Sequence, residues 1–326
     1  MIKRPTLTRA LPALAIGMSL ALSAAAPAQA QNWPERPIRI VVPYPAGGNA
    51  DIIARGVAGP LSERLGQPII VENKGGAAGV IGADAVAKAA PDGYTLLITP
   101  VTQLTSAPLG AKPTYRAETD FVPVAGIAAT PLIYVAGNSA NATDFKQFVA
   151  AARAKPFSFG SYGPGTSTHL LIAMMSEQLG LNMTHVPYKG ENPMLTDLLS
   201  GQVQSGLLSI GITRAQVEAG KVKPLAVLGR QRVSFFPDVP TFTELGVKDL
   251  DWDYAVAMYA PAGVPKPILT KLETELTALL RTPAFRDALL ARSNEPWQAS
   301  SAELTKRLGS DIARWNKVLQ NAEKFK

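Results

Sequence analysis

The chain has 326 residues, 47% of them apolar, and no cysteine, which excludes a disulfide framework, a thiolate metal site and a lipidated thiol. Its formal charge of +7 comes from singly scattered Lys and Arg without a basic run or interleaved aromatics, which argues against a nucleic-acid partner or an anionic membrane surface. The length is ample for two ordinary domains.

Lys3, Arg4 and Arg9 precede an apolar stretch from Ala10 to Ala26, and Ala28-Gln29-Ala30 has the small residues of a cleavage site. Residues 1–30 therefore read as a cleaved signal peptide, with the mature chain starting at Gln31. Removing three positive charges lowers +7 to +4. No later segment is long and apolar enough to span a bilayer, so a soluble protein of the bacterial periplasm is expected.

Short apolar runs then alternate with helical patterns: strand 38–42, helix 51–65, strand 68–72, helix 79–90 and strand 94–98, the signature of a parallel α/β sheet. Gly66-Gln67-Pro68 and Pro91-Asp92-Gly93 punctuate it as a helix stop and a tight turn. The alternation restarts at strand 132–135 and runs through helix 145–154, strand 157–160, helix 169–179, strand 183–188, a helix near 193–200, and strands 203–209 and 225–228. Two restarts predict two lobes, crossing near Thr130-Pro131 and again between Gly229 and Pro261. Two terminal helices follow, one carrying Leu272, Leu276, Leu279 and Leu280, the other Leu304, Leu308, Ile312, Trp315 and Leu319, with a Ser300/Glu303 capping box. Both are expected to pack on the first lobe.

Two loops attract attention. Val42-Pro43-Tyr44-Pro45-Ala46-Gly47-Gly48-Asn49-Ala50-Asp51 runs from a buried strand through glycines to a helix start, which presents bare backbone N–H groups to an anion. A bulky residue at Gly48 is expected to spoil that presentation. Phe159-Gly160-Ser161-Tyr162-Gly163-Pro164-Gly165-Thr166-Ser167-Thr168-His169 repeats the design in the other lobe, and the two facing loops would clamp a carboxylate. His169 reads as orienting its loop, and Asp51 as serving a helix N-terminus. Tyr188 lies at a third strand's C-terminal edge, where α/β proteins bind ligands. Gly75-Gly76-Ala77-Ala78-Gly79 is either a turn into a close-packed helix or a loop at the cleft rim. Two histidines without cysteine predict no metal site, and no nucleophile elbow, phosphate loop or dinucleotide fingerprint occurs. No cofactor and no enzymatic activity are expected; a cofactor-free hydrolase is the remote alternative.

Trp33-Pro34, Val42-Pro43-Tyr44-Pro45-Ala46-Gly47-Gly48 with Asp51 and Arg55, Val71-Glu72-Asn73-Lys74, Ala89-Ala90-Pro91-Asp92-Gly93-Tyr94, Gly165-Thr166-Ser167-Thr168-His169-Leu170, Val186-Pro187-Tyr188-Lys189-Gly190 and Phe236-Pro237-Asp238-Val239-Pro240 form an ordered series. It resembles the receptors of tripartite tricarboxylate transporters, often called Bug proteins, over the whole mature chain. The resemblance implies a two-lobed periplasmic binding protein of the Venus-flytrap, type II-like class, with a parallel-rich sheet in each lobe and a ligand cleft between them. Lobe 1 would comprise 31–131 plus about 252–326, and lobe 2 about 132–251. The expected ligand is a small organic mono-, di- or tricarboxylate, aromatic ones included, held by backbone amides and waters. The implied contact residues are Tyr44, Pro45, Ala46, Gly47, Gly48, Asp51, Thr99, Ser161, Gly163, Gly165, Thr166, Ser167, Thr168, His169, Tyr188 and Ser209. A monomer delivering its ligand to membrane permease subunits follows, with signalling to a membrane histidine kinase as the alternative. Similar receptors carry an Asp-Asn pair where this chain has Leu208 and Ser209. That loss of a cleft carboxylate is expected to disfavour ligands bearing an amino group.

Overall fold

The structure, a computed structural model, describes residues 32–106 and 114–320; the leader expected over 1–30 lies outside them. Strand β1 (Ile38–Val42) pairs in parallel with β2 (Ile69–Asn73) and β3 (Thr95–Pro100), through crossover helices α1 (Asn49–Leu65) and α2 (Val80–Ala87). Because successive strand side chains point to opposite faces, Ile38, Ile40 and Val42 enter one core while Val41 enters another. Both faces are covered, which is why the strand reads as an unbroken apolar run. Helix α1 stops at Gly66, whose φ of +72° lets its amide bond Ser62 O.

Beyond a short helix α3 (Val101–Thr105), two long strands complete this sheet. β4 (Phe121–Ala129) and β10 (Ala255–Pro261) are antiparallel to each other, β10 is antiparallel to β3, and a short β11 (Glu295–Pro296) gives the order β11-β4-β10-β3-β1-β2. Neither long strand shows alternation, since nearly every residue is buried, and β4 is interrupted in sequence by Pro123 and Gly126. Gly126 is required there because a Cβ would lie 2.6 Å from the Trp297 ring.

The chain passes from β4 through Thr130-Pro131 directly into β5 (Leu132–Gly137), which starts the second sheet. Helix α4 (Phe145–Ala154), β6 (Phe157–Ser161), α5 (Ser167–Gln178), β7 (Met183–Pro187), α6 (Glu191–Ser200), β8 (Ser205–Ser209), α7 (Ile210–Glu218) and β9 (Val222–Leu228) follow, with strand order β7-β6-β8-β5-β9. Here too the pairing is mixed. β6 is parallel to β7 and β8, while β5 is antiparallel to β8 and β9. In each sheet the parallel pairs come from the α/β crossovers, and strands entering from the other sheet run antiparallel.

Helix α8 (Lys266–Leu280) packs on the first sheet as expected, through Leu272, Leu276, Leu279 and Leu280. After α9 (Pro283–Leu290), the last helix α10 (Ser301–Gln320) departs from the expectation. Leu304 and Leu308 pack beside Val41 and Leu97 of the first sheet, but Trp315 enters the core of the second and stacks on Trp252 at 4.1 Å. A 20-residue helix is about 30 Å long, enough to reach both bodies. Its capping box forms as read, with Ser300 N donating to Glu303 Oε2 at 2.8 Å and Glu303 N to Ser300 Oγ at 3.3 Å. Among the described residues no helix is long and apolar enough to cross a membrane.

Candidate functional site

Strand ends of both sheets meet around one cavity of about 40 Å³. Its wall is Tyr44, Pro45, Gly48, Asn49 and Ala50 after β1, Pro100 ending β3, Thr130 after β4, Tyr162 after β6, Gly190 to Pro193 after β7, Ser209 ending β8, and Tyr254 with Val256 at the start of β10. The C-terminal edges of parallel strands converge there, the usual place for an α/β ligand. The space holds small molecules of water size, against several hundred Å³ in a typical open ligand pocket, so the cleft stands nearly shut.

Glu191, at the start of α6, is the centre of this wall. Its Oε2 accepts from the backbone amide of Asn49 at 3.0 Å, and its Oε1 accepts from Ser209 N at 3.0 Å and from the Tyr162 hydroxyl at 2.8 Å. Asn49 and Ser209 stand at the starts of α1 and α7, where amides lack intrahelical acceptors and the helix dipole favours negative charge. The donor geometry is thus complementary to a carboxylate, and the chain's own carboxylate sits in it. Burial, with the neighbouring Glu191 carboxylate, raises the Tyr162 phenol well above its ordinary pKa; burial likewise raises Tyr44 and Tyr254, so all three keep their O–H protons.

The first glycine loop is held from behind. Asp51 Oδ2 accepts from Gly47 N at 2.8 Å, Asn73 Nδ2 donates to Asp51 Oδ1 at 2.9 Å, and Arg55 pairs with the same carboxylate at 3.0 Å. Burial pushes the Asp51 carboxyl up, and the bonds from Arg55, Gly47 and Asn73 more than offset it, holding it below the usual carboxylate range. Asp51 therefore shapes the loop. Asn49 is fixed by a reciprocal amide pair with buried Asn294, 2.9 and 3.1 Å. The demand for glycine falls at Gly47, with φ of +81° and Asn192 Nδ2 2.8 Å from where a Cβ would sit; Gly48 has an ordinary extended backbone, and a Cβ there would touch Pro45 O at 3.7 Å and Glu191 Oε2 at 3.9 Å.

The second glycine loop turns inward on itself. Thr166 caps α5, its Oγ1 accepting from His169 N at 3.4 Å and donating to Gly163 O at 2.7 Å, and Thr168 Oγ1 accepts from Tyr162 N at 3.3 Å. Gly165 N donates to His169 Nδ1 at 3.1 Å, the His169 and His185 rings stack at 3.9 Å, and Ser161 Oγ lies 2.6 Å from His185 Nε2. Burial lowers each imidazole to about 4, with His169 adding to the effect on His185. Ser161 is fully buried, so this hydroxyl–imidazole contact cannot meet a substrate.

Of the residues read from the sequence, Tyr44, Pro45, Gly48 and Ser209 line the cavity. Ala46 and Gly47 back it, the Ala46 carbonyl receiving Asn192 Nδ2 at 3.4 Å, and Thr99 hydrogen-bonds the Tyr44 phenol. Gly163 and Tyr188 instead face Gly76 to Gly79 across a wider gap of about 210 Å³ at the rim, and the Tyr188 hydroxyl is bonded to Asp197. Ser161, Gly165, Thr166, Ser167, Thr168 and His169 are buried or locked within their own loop and line neither space. Sequence reasoning missed Glu191, Asn49, Tyr162, Thr130 and Tyr254. The Gly190-Glu191 step from a strand end into a helix was the available signal. The carboxylate expected to be missing at Leu208 and Ser209 is absent there, and Glu191 brings one to the Ser209 amide from another element.

The model of the family described as tripartite tricarboxylate transporter family receptor matches residues 53–323. The chain belongs to that family. This receptor is 33% identical over 318 residues to the protein BugT of Bordetella pertussis, across 96% of this chain and 97% of the relative. It matches the structure of the periplasmic binding protein BugD with a TM-score of 0.84 and 34% identity, covering 89% of this chain and 99% of that one. It matches R. palustris Rpa4515 with adipate equally well, at TM-score 0.84 and 32% identity over 89% and 98% of the two chains. The receptor family binds solutes and is not a family of enzymes, and the two-lobed α/β fold is shared with these neighbours.

Proposed function

We propose that the receptor captures a small organic carboxylate in the periplasm, closes on it, and presents the closed form to the permease subunits of a tripartite tricarboxylate transporter. The observation that carries this reading is the convergence of the α1 and α7 starts and the Tyr162 hydroxyl on one carboxylate. Charge-assisted hydrogen bonds of this kind contribute about 1.5 to 3 kcal/mol each, so three or four suffice for micromolar affinity without a cationic side chain. The adipate held by the similar Rpa4515 structure supports the ligand class.

The moving parts are the two sheets with their helices, Trp252 and the Trp315 end of α10 belonging to the second. The first-turn amides of α1 beyond Asn49 and the protonated Tyr44 and Tyr254 hydroxyls supply donors to the ligand acid, and waters complete the shell. Closure carries the signal, since a permease distinguishes loaded from empty receptor only if the ligand favours one state. A thermal-shift screen of the mature protein against organic acids tests the reading, because a ligand at a hundred times its Kd adds about 2.7 kcal/mol of stability. At least one carboxylate is expected to raise Tm in a saturable way; a screen in which no acid does so overturns the proposal.

A further inference from the structure

The two sheets' helices also meet beside the cavity, at residues that do not line it. α9 ends in a ledge, residues 292–294, which folds back on the helix: Arg292 N and Asn294 N both donate to Leu289 O at 3.0 Å. Phe285 and Leu289 root α9 in the core of the first sheet, and Ser293 and Asn294 are buried. α7 belongs to the second sheet, with Ile210 in a core that also holds Ile133. The two bodies touch at Gly211. A Cβ there would lie 2.7 Å from Arg292 O, 2.9 Å from Asn49 Oδ1 and 3.5 Å from Asn294 Nδ2, all three on the first body. Three residues further on, Arg214 Nη1 donates to Ser293 Oγ at 3.4 Å across the same junction.

Nothing in α7 itself asks for glycine. Gly211 is the second residue of a nine-residue helix and its φ lies outside the left-handed region, so alanine would suit the helix better. The space asks for it. Arg292 O is backbone, and Asn49 Oδ1 is held by Asn294 Nδ2 at 3.1 Å, so neither neighbour can swing aside from an added methyl group.

The junction also lies next to a crossing between the sheets, since Ile210 N donates to Pro131 O at 3.1 Å. A contact close to a pivot sets the angle of the whole, because a small separation there becomes a larger one at the mouth. The site shares its residues with this contact: Ser209, two residues before Gly211, and Asn49 each give a backbone amide to Glu191. We infer that Gly211 is the stop of the closing motion. It is a positioning residue whose missing side chain lets the α7 start come to rest on Asn49 and the 292–294 ledge, and the contact parts when the cleft opens. The inference rests on the reading that the receptor closes on its ligand, and names the residue that sets the closed angle.

Gly211→Ala in the mature protein tests it by three measurements. In urea denaturation without ligand the midpoint is expected to stay level or rise, because the open form has room for the methyl group and alanine favours the helix. Titration and stopped-flow mixing use adipate, the acid held by the similar Rpa4515 structure, or, where adipate does not bind, the acid that raises Tm most in the screen. The variant is expected to bind about tenfold more weakly, with the loss in koff and kon changed by less than about twofold. In small-angle scattering the saturated variant is expected to have a larger radius of gyration than the saturated wild type. A lowered urea midpoint, or a variant that does not fold, overturns the inference, since the contact is then fixed packing present in open and closed forms alike. Unchanged affinity, a loss that falls on kon, or equal radii overturn it as well, and all of these leave the carboxylate reading intact. A blank acid screen overturns the carboxylate reading instead; the urea midpoint then decides on Gly211 alone, a level or raised value sustaining the stop and a lowered one removing it.

Discussion

Glu191 Oε2 lies 3.0 Å from the backbone nitrogen of Asn49, a hydrogen bond between residues 142 apart in sequence that ties the first turn of α6 to the first turn of α1. Each helix end would otherwise leave amides unsatisfied, and here one residue serves two helix starts and a tyrosine. That bond crosses the cleft, because α6 extends from the second sheet and α1 from the first, and Asn192 Nδ2 donating to Ala46 O adds another.

Gly47 tests how tightly the loop and α6 fit. Gly47→Ala places a Cβ 2.8 Å from Asn192 Nδ2 in a left-handed backbone, which costs roughly 1 to 2 kcal/mol. The expected result is a five- to thirtyfold loss of ligand affinity by titration. Gly56→Ala, in mid-helix with nothing within 4 Å, is the control, and raises stability by about 0.5 to 1 kcal/mol with binding unchanged.

Asp51 holds the loop amide of Gly47 and the Asn73 side chain. Asp51→Asn weakens those charge-assisted bonds and is expected to cost about 1 to 3 kcal/mol in urea denaturation at pH 7. The native carboxyl lies below its ordinary value of 3.8. Its contribution is therefore complete above that pH and fades as pH falls through the lowered native value, so the two proteins converge in acid.

The stacked His169 and His185 give an opposite kind of linkage. Both are held neutral in the fold, at about 4 against an ordinary 6.5. Between those values the unfolded chain binds protons that the folded chain refuses, so stability falls as pH drops from 6.5 toward 4 and is flat above. The slope for buried His169 is of order 1 kcal/mol per pH unit, and smaller for the partly exposed His185. Denaturation midpoints across that window check it; His169→Phe is expected to flatten the slope.

Trp315 tests the bridging role of the last helix. Its ring is fully buried against Trp252, with Arg314 bonded to Asp251 beside it. Trp315→Ala is expected to destabilise by about 3 to 5 kcal/mol. Since the lost packing belongs to the second sheet's core, hydrogen exchange should accelerate in β5, β6 and β9 before it does in β1 and β3.

Much of this was legible beforehand because it is local. Ile38 to Val42 could only be a buried strand; Gly66 and the Ser300/Glu303 pair are a stop and a cap whose geometry needs no distant partner. What resisted reading was long-range. β4 and β10 carry no alternation because the sheet buries both their faces, and Trp315 left the expected core because its partner Trp252 lies far back in the chain. At the site, motif alone determined the α1 start and the class of receptor, while the α5 start that it also singled out lies outside the cavity. Only the tertiary structure decided which amides meet. It brought the α1, α6 and α7 starts to one corner, and made Glu191, which the sequence marks only as a residue at a strand-to-helix step, the cavity's fixed charge, because an electrostatic partner is set by distance in space and not by spacing along the chain.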